Sequence, residues 1–121
     1  KRTKSNYKIK DFFKIYIDFP RKELIDRINL RAREMIKKGA ISEVRKFIKL
    51  KVRKDKTAYK AIGIHELNEY LKKKIEIEEV IEKISIKTRQ YAKRQSTWAR
   101  GNMQNWNKMN PISLKKFLKK F

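Results

Sequence analysis

The chain has 121 residues, with 35 Lys or Arg against 13 Asp or Glu, a net charge of +22 and no cysteine. This size suits one domain or a piece of a larger one, and 40% apolar residues support a modest core. Disulfides and cysteine-bound zinc are excluded, a reducing compartment fits, and no apolar run approaches the ~18 residues of a spanning helix.

So large a charge repels itself in the folded state and attracts polyanions, nucleic acid first and an anionic membrane surface second. Heavy use of Lys (25) and Ile (16) points to compositional bias as the source of part of it. Bias does not account for its segregation. The last acidic residue is Glu82, and Lys83 to Phe121 hold eleven Lys or Arg with no Asp or Glu. The ten arginines cluster at Arg27, Arg31, Arg33 and again at Arg89, Arg94, Arg100. Their planar fork suits bidentate anion contacts.

Residues 1–11 form a basic lead-in without periodicity. With no initiator Met and no hydrophobic leader, the sequence is expected to begin in mid-protein. Phe12 to Phe19 reads as a strand, because β-branched and aromatic residues dominate and Ile15 and Ile17 alternate with Tyr16. No other stretch is convincingly β, so its sheet is expected outside this chain. Pro20 marks a helix start, and Leu24, Ile28, Ala32 and Met35/Ile36 form its buried stripe to about Lys38. Gly39 ends it. Arg27 and Arg31 project together from the flank of that stripe. They either pair with Glu23, Asp26 or Glu34 on the surface, or clamp a phosphate or pyrophosphate.

Ile41, Val44, Phe47 and Ile48 mark a second helix to about Lys51, followed by a basic loop to Lys60. Gly63 either interrupts a helix start or permits close backbone approach. Leu67, Tyr70 and Leu71 continue a short helix. His65 is the sole histidine and has no Cys partner, which favours a polar surface role over a metal site. A long helix is predicted from about Ile77 to Arg100, with Glu78, Glu79 and Glu82 in its first turns and Gly101 closing it. Arg89, Lys93, Thr97 and Arg100 fall on one face, and Tyr91, Gln95 and Trp98 on another. Cations and hydrogen bonders beside aromatics suit a nucleic-acid backbone with unstacked bases next to it. The alternative is an amphipathic core helix with a solvated basic face. Asn105-Trp106-Asn107 reads as a turn or short strand. Leu114, Phe117 and Leu118 make a terminal helix carrying Lys115, Lys116, Lys119 and Lys120, whose apolar edge packs on the domain or lies on a membrane.

Three glycines, Gly39, Gly63 and Gly101, permit neither a phosphate-binding G-x-x-x-x-G-K-[ST] loop nor a G-x-G-x-x-G turn. No carboxylate pair or Ser/His/Asp order supports a complete catalytic set. The residues alone describe a polyanion binder.

Four stretches carry a resemblance. Thr88-Arg89-Gln90-Tyr91-Ala92-Lys93-Arg94-Gln95-Ser96-Thr97-Trp98-Ala99-Arg100 resembles the T-R-x-x-A-K-R-Q-x-T-W-x-R signature of tRNA dimethylallyltransferases. Pro20-Arg21 with Leu24, Arg27-Ile28 and Arg31 is similar to that family's P-R-x-x-L-x-x-R-I-x-x-R. Met35 to Gly39 with Glu43-Val44 resembles M-x-x-x-G-x-x-x-E-V, and Ala61-Ile62-Gly63 with Glu66 and Tyr70-Leu71 resembles A-I-G-Y-x-E-x-x-x-Y-L. The match spans roughly residues 12 to 106. It departs at Ile64, where the family usually has Tyr, at His65, where it has Lys or Arg, and at Ala99, where a larger apolar residue is usual. It departs again at Lys73-Lys74 in place of Gly and at Glu76 in place of a Ser cap.

The resemblance implies transfer of a dimethylallyl group from dimethylallyl diphosphate to N6 of the adenosine 3′ to the anticodon. It also implies a mainly α fold, the helical C-terminal part (residues 12–121) of a P-loop kinase-like α/β enzyme, with the N-terminal strand belonging to a core sheet outside this chain. Mg²⁺, its ligands, the phosphate loop and the catalytic Asp are then expected upstream. Arg31 matches the arginine holding the diphosphate. Two stretches match the tRNA contacts: Lys60, Ala61, Ile62, Gly63, Ile64 and His65, and then Lys93, Arg94, Gln95, Ser96, Thr97, Trp98, Ala99 and Arg100. Trp98 either contacts RNA or sits in the core. The expected partner is a tRNA anticodon stem-loop, with no membrane, a cytoplasmic setting and a monomer. The fragment alone is expected to bind RNA and transfer nothing. The competing readings are a non-enzymatic basic RNA-binding module and a peripheral membrane module.

Overall fold

The computed structural model describes residues 3–121. Five helices and two short strands follow in the order β1 (Ile15–Ile17), α1 (Arg21–Lys37), α2 (Ala40–Lys49), α3 (Ile64–Leu71), α4 (Ile77–Asn102), β2 (Asn107–Met109) and α5 (Pro111–Leu118). Single 3₁₀ turns occupy Ile9–Asp11 and Thr57–Lys60. The core gathers Ala32 of α1, Ala40 and Val44 of α2, Leu67 of α3 and Val80, Ile81 and Ile84 of α4. These are the positions that the helical periodicity brings to one face of each helix, and burying those faces supplies most of the stability of such short helices.

α1 lies antiparallel to α4. Arg33, near the end of α1, pairs with Glu78 in the first turn of α4 at 3.2 Å. At the other end, Leu24 and Ile28 face the same groove as Ala99 and Met103. α3, backed by α2, covers only the first half of α4, so the buried residues of α4 run from Val80 to Ser85 and do not resume until Ala99. Helix α4 does not stop at Gly101. A helical glycine costs about 1 kcal/mol but keeps its hydrogen bonds. The helix continues to Asn102, whose Nδ2 donates to the Trp98 carbonyl at 2.8 Å, and Met103 N–H closes the last turn on the Ala99 carbonyl. Pro20 lies at the N-cap of α1, one residue outside its first turn.

The strand is shorter than its composition predicts, and its partner lies within the chain. β1 pairs in parallel with β2, Ile15 opposite Asn107 and Ile17 opposite Met109. Asn107 N–H donates to Lys14 O and Asp18 N–H to Met109 O, both at 2.9 Å. Asn105 and Trp106 form the turn, and the strand starts at Asn107, the end of the stretch expected as a turn or short strand, and runs on through Lys108 and Met109, neither of them β-branched. Four helices form the crossover between the two strands. The pairing draws the end of α4 back beside the start of α1. α5 then follows directly, capped by Asn110, whose Oδ1 accepts from Ser113 N–H at 2.7 Å, with Pro111 at the first helical position. Its apolar edge packs on the domain, with Phe117 stacked on Phe13 at 4.9 Å.

The two departures at the α3–α4 turn have visible consequences. Lys73 takes a left-handed φ of 60°, with its N–H on Tyr70 O and the Lys74 N–H on Glu69 O. That is a Schellman closure whose left-handed position normally carries Gly. Glu76 caps α4 without a side-chain hydrogen bond. Lys73→Gly is therefore expected to raise stability by about 1 kcal/mol. Glu76→Ser adds roughly 0.5–1 kcal/mol. Thermal unfolding of both variants against the parent chain checks the two values.

Candidate nucleic-acid interface

The α3 start is built around one buried carboxylate. Gly63 takes a left-handed φ of 105° and opens the helix. Its Cα seats against the core, since a Cβ there would lie 3.7 Å from both Ile84 and Met35. Gly63 therefore does not interrupt a helix start but caps one, and its left-handed φ rather than lack of space is what calls for glycine. Glu66, 1% exposed, folds back so that its Oε2 accepts the Gly63 N–H at 3.0 Å. Its Oε1 faces the ammonium of Lys87 on α4 as an ion pair, without a well-angled hydrogen bond. Burial alone would raise the Glu66 pKa. The Lys87 ammonium and the backbone N–H groups outweigh it and hold the carboxyl below its usual range.

A second contact runs beside the first. Glu69, one turn further along α3, binds Lys83 of α4 at 3.5 Å and His65 through the other oxygen. Two carboxylates of α3 thus grip two lysines spaced i, i+4 on α4. The Lys60–His65 loop is thereby fixed to α4 one turn before the Thr88–Arg100 segment begins. Within it, Lys60, Ala61, Ile62 and His65 are exposed, Ile64 is half-buried and Gly63 is buried. The sequence pointed to Gly63 and His65 but not to Lys87. A Glu three residues after Gly63, just before Leu67, was the available signal for the N-terminal cap.

Beyond Thr88 the face of α4 that α3 covers earlier lies open, and among the described residues only Ala99 of this half is buried. Tyr91 is 50% exposed and Trp98 57% exposed, so Trp98 is not a core residue in this chain. The second half of α4 forms one wall of a groove of about 1140 Å³. Lys93, Arg94, Gln95, Ser96, Trp98, Ala99 and Arg100 line that wall, and the β1–α1 junction with Tyr16, Phe19, Leu24 and Ile28 lines the other. Lys108 of β2 reaches its rim. The Arg94 guanidinium lies 5.9 Å from the Tyr91 ring centre, and Arg27 covers Phe19 at 4.8 Å. Thr97 turns away, into a smaller concavity of about 650 Å³ shared with Gln90, Lys93, Arg94 and Trp98. Its hydroxyl donates to Lys93 O at 3.0 Å.

Arg31 stands apart from this groove, exposed on the flank of α1. Among the described residues, neither Arg27 nor Arg31 meets a carboxylate within ion-pair distance, and the surface pairs open to them in the sequence do not form. Arg33 takes Glu78 instead. Nor does any group of three or more His, Cys, Asp or Glu side chains gather among the described residues where it could hold a metal ion. No helix there is long and apolar enough to cross a membrane.

The chain matches the family model described as IPP transferase over residues 1–102. It is 53% identical over 119 residues to a tRNA dimethylallyltransferase of Pelagibacter ubique, covering 98% of this chain and 38% of that protein. The crystal structure of a full-length tRNA isopentenylpyrophosphate transferase from Bacillus halodurans superposes with a TM-score of 0.71 at 36% identity, over 80% of this chain and 31% of the other. The corresponding Staphylococcus epidermidis structure gives a TM-score of 0.72 at 35% identity, over 81% and 32%. The chain thus spans less than two-fifths of the length of these relatives.

Glu66→Gln keeps an acceptor for the Gly63 N–H but discards the charge facing Lys87. It is expected to cost about 1–3 kcal/mol at neutral pH. Because the folded carboxyl is depressed, its contribution is complete above the ordinary carboxylate range and is lost as pH falls through the folded value. Denaturant unfolding across an acid pH series checks this: the gap between parent and variant closes on acidification.

Proposed function

The chain belongs to the IPP transferase family, and we propose that it supplies the tRNA-gripping surface of a tRNA dimethylallyltransferase. The reaction moves a dimethylallyl group from dimethylallyl diphosphate to N6 of the adenosine 3′ to the anticodon. The observation that carries this reading is the groove along the second half of α4, where cations, amide and hydroxyl groups and an open Trp98 face one another across from Tyr16 and Phe19.

The chemistry asks three things of this chain. The target base must leave its stack, at a cost of a few kcal/mol. Exposed aromatic rings offset that by about 1–3 kcal/mol per stacked base, and Trp98 and Tyr91 are the rings available. The backbone must be held while the base is out, and Lys93, Arg94 and Arg100 supply charge-assisted bonds to phosphates. The loop at Lys60–His65, fixed to α4 through Glu66 and Lys87, braces the other side of the anticodon loop. Ile64 and His65 bring less stacking and less fixed charge than the Tyr and Lys or Arg usual there. In the transfer itself, the carbon–oxygen bond to diphosphate breaks as the bond to N6 forms, and charge develops on the leaving group. Arg31 is unpaired on α1 and offers its fork to that charge. The phosphate loop, the base that takes the N6 proton and Mg²⁺ with its ligands belong to the remainder of the enzyme. We place the enzyme in the cytoplasm, acting as a monomer. A non-enzymatic RNA-binding module would share the charge but would show no preference for an anticodon loop.

A chimera tests the proposal: this chain joined to the portion of the Pelagibacter ubique relative that it does not cover. The chimera should transfer dimethylallyl groups to tRNA, while the 121-residue chain alone should bind an anticodon hairpin and transfer nothing. Arg31→Ala in the chimera should lower kcat by roughly 10²-fold with tRNA affinity unchanged. Arg94→Ala should instead weaken tRNA binding by roughly 5–10-fold, as loss of about 1–1.4 kcal/mol of charged contact does. Transfer by the chain alone, or equal binding of anticodon and scrambled hairpins by a folded chimera, would sink the reading.

A further inference from the structure

Among the described residues, no ion pair involves a residue beyond Lys87. The pairs join Arg33 with Glu78, Arg53 with Asp55, His65 and Lys83 with Glu69, and Lys87 with Glu66. From Arg89 onward no cation meets a carboxylate. The sequence segregates charge here, and the one acidic residue that the fold brings to the groove, Asp18, makes no ion pair there among the described residues. Four of these cations, Lys115, Lys116, Lys119 and Lys120, sit on α5 and the turn that ends it, all exposed. At 100° per residue they share one arc, opposite the Phe117 edge that stacks on Phe13. The α5 arc is not isolated from the groove. Lys108 lines both the groove and a small hollow of about 290 Å³ formed with Asn110, the cap residue of α5.

We propose that α5 is a second RNA-contacting surface, which holds backbone phosphates of the stem belonging to the same RNA whose loop occupies the α4 groove. This rests on the reading of the groove given above. A loop lodged in the groove leaves its stem as the polyanion that continues past Lys108. A-form stems are recognised through their phosphates and shape, which needs cations at helical spacing and no base-reading side chains. α5 offers lysines at i, i+4 twice, Lys115 with Lys119 and Lys116 with Lys120. Favourable charge at a helix end explains lysines in the last turn, at a few tenths of a kcal/mol each. It does not explain an unneutralised arc that adjoins a basic groove. α5 also lies beyond residue 102, where the match to the family model ends. A membrane is the weaker partner, because Phe117 is already packed, and the exposed Ile112 and Leu118 lie about 120° apart on α5 rather than on one face.

The test uses the 121-residue chain, two hairpins with one anticodon loop but a short or a long stem, and a salt series. The parent chain should bind the long-stemmed hairpin more tightly. Lys→Gln at 115, 116, 119 and 120 together should abolish that preference and flatten the slope of log K against log salt by roughly 2–3. Lys→Arg at the same four positions should restore both, which separates lost charge from lost folding. Arg94→Ala should weaken both hairpins by the same factor and leave the long-to-short ratio unchanged. If Arg94→Ala has no effect while the α5 variant flattens the slope, the groove reading fails and α5 stands as an RNA surface by itself. Equal slopes for parent and Lys→Gln chains would overturn the α5 proposal. So would binding to vesicles of anionic lipid that the Lys→Gln chain loses while its hairpin binding is intact.

Discussion

The buried carboxylate of Glu66 is the constraint on which the arrangement of the helices depends. It satisfies the Gly63 N–H at the start of α3 and at the same time faces the Lys87 ammonium on α4. A carboxylate so buried is tolerable only when both oxygens have partners, and removing either partner leaves a charge that the interior cannot solvate. The geometry therefore admits little slack. Gly63 must adopt its left-handed conformation, α3 must lie across the first half of α4, and the Lys60–His65 loop must end where Ile84 and Met35 meet it. Apolar packing around Leu67 and Val80 supplies the bulk of the burial, but it is non-directional. The Glu66 contacts fix the angle.

The same arrangement explains why the second half of α4 is open. α3 spans eight residues and α4 spans 26, so α3 and its loop run out before Thr88. Past that point the helix face that was buried earlier carries Tyr91, Gln95 and Trp98, exposed, with Lys93, Arg94 and Arg100 around them. A long helix can leave this face uncovered because its first half is anchored and its end is tied back by β2. The β1–β2 pair does more than close the fold. It places Tyr16 and Phe19 opposite Trp98 and turns a helix face into a groove. The charge gradient along the chain then has a spatial meaning. Acidic residues of the earlier helices serve as internal clamps up to Lys87, and from Arg89 onward no cation among the described residues forms an ion pair.

Most helices are legible in the sequence, since α1, α2 and α3 follow apolar residues at helical spacing with Gly39 and Gly63 as punctuation. The failures have particular causes. Gly101 carries a stop signal that a helix already anchored at both ends overrides. β2 has no β pattern because a three-residue strand is held by backbone bonds and not by side-chain preference. Lys87 is one of 25 lysines, and nothing local marks it as the partner of a residue 21 positions earlier. Arg31 is recognisable by its place in P-R-x-x-L-x-x-R-I-x-x-R, yet in this chain it is exposed and does not line the groove.

By itself the sequence determined the helical class, the segregated excess of positive charge and the two signature stretches on which the proposed function draws. Apolar spacing, net charge and short-range signature are local quantities, written residue by residue. Only the tertiary structure decided that Trp98 is open rather than core, that β1 has a partner in this chain, and that the Lys60–His65 loop is locked to α4. Each depends on contacts between residues far apart in the chain, and such contacts form only when burial of the shared core outweighs the entropy of bringing those segments together.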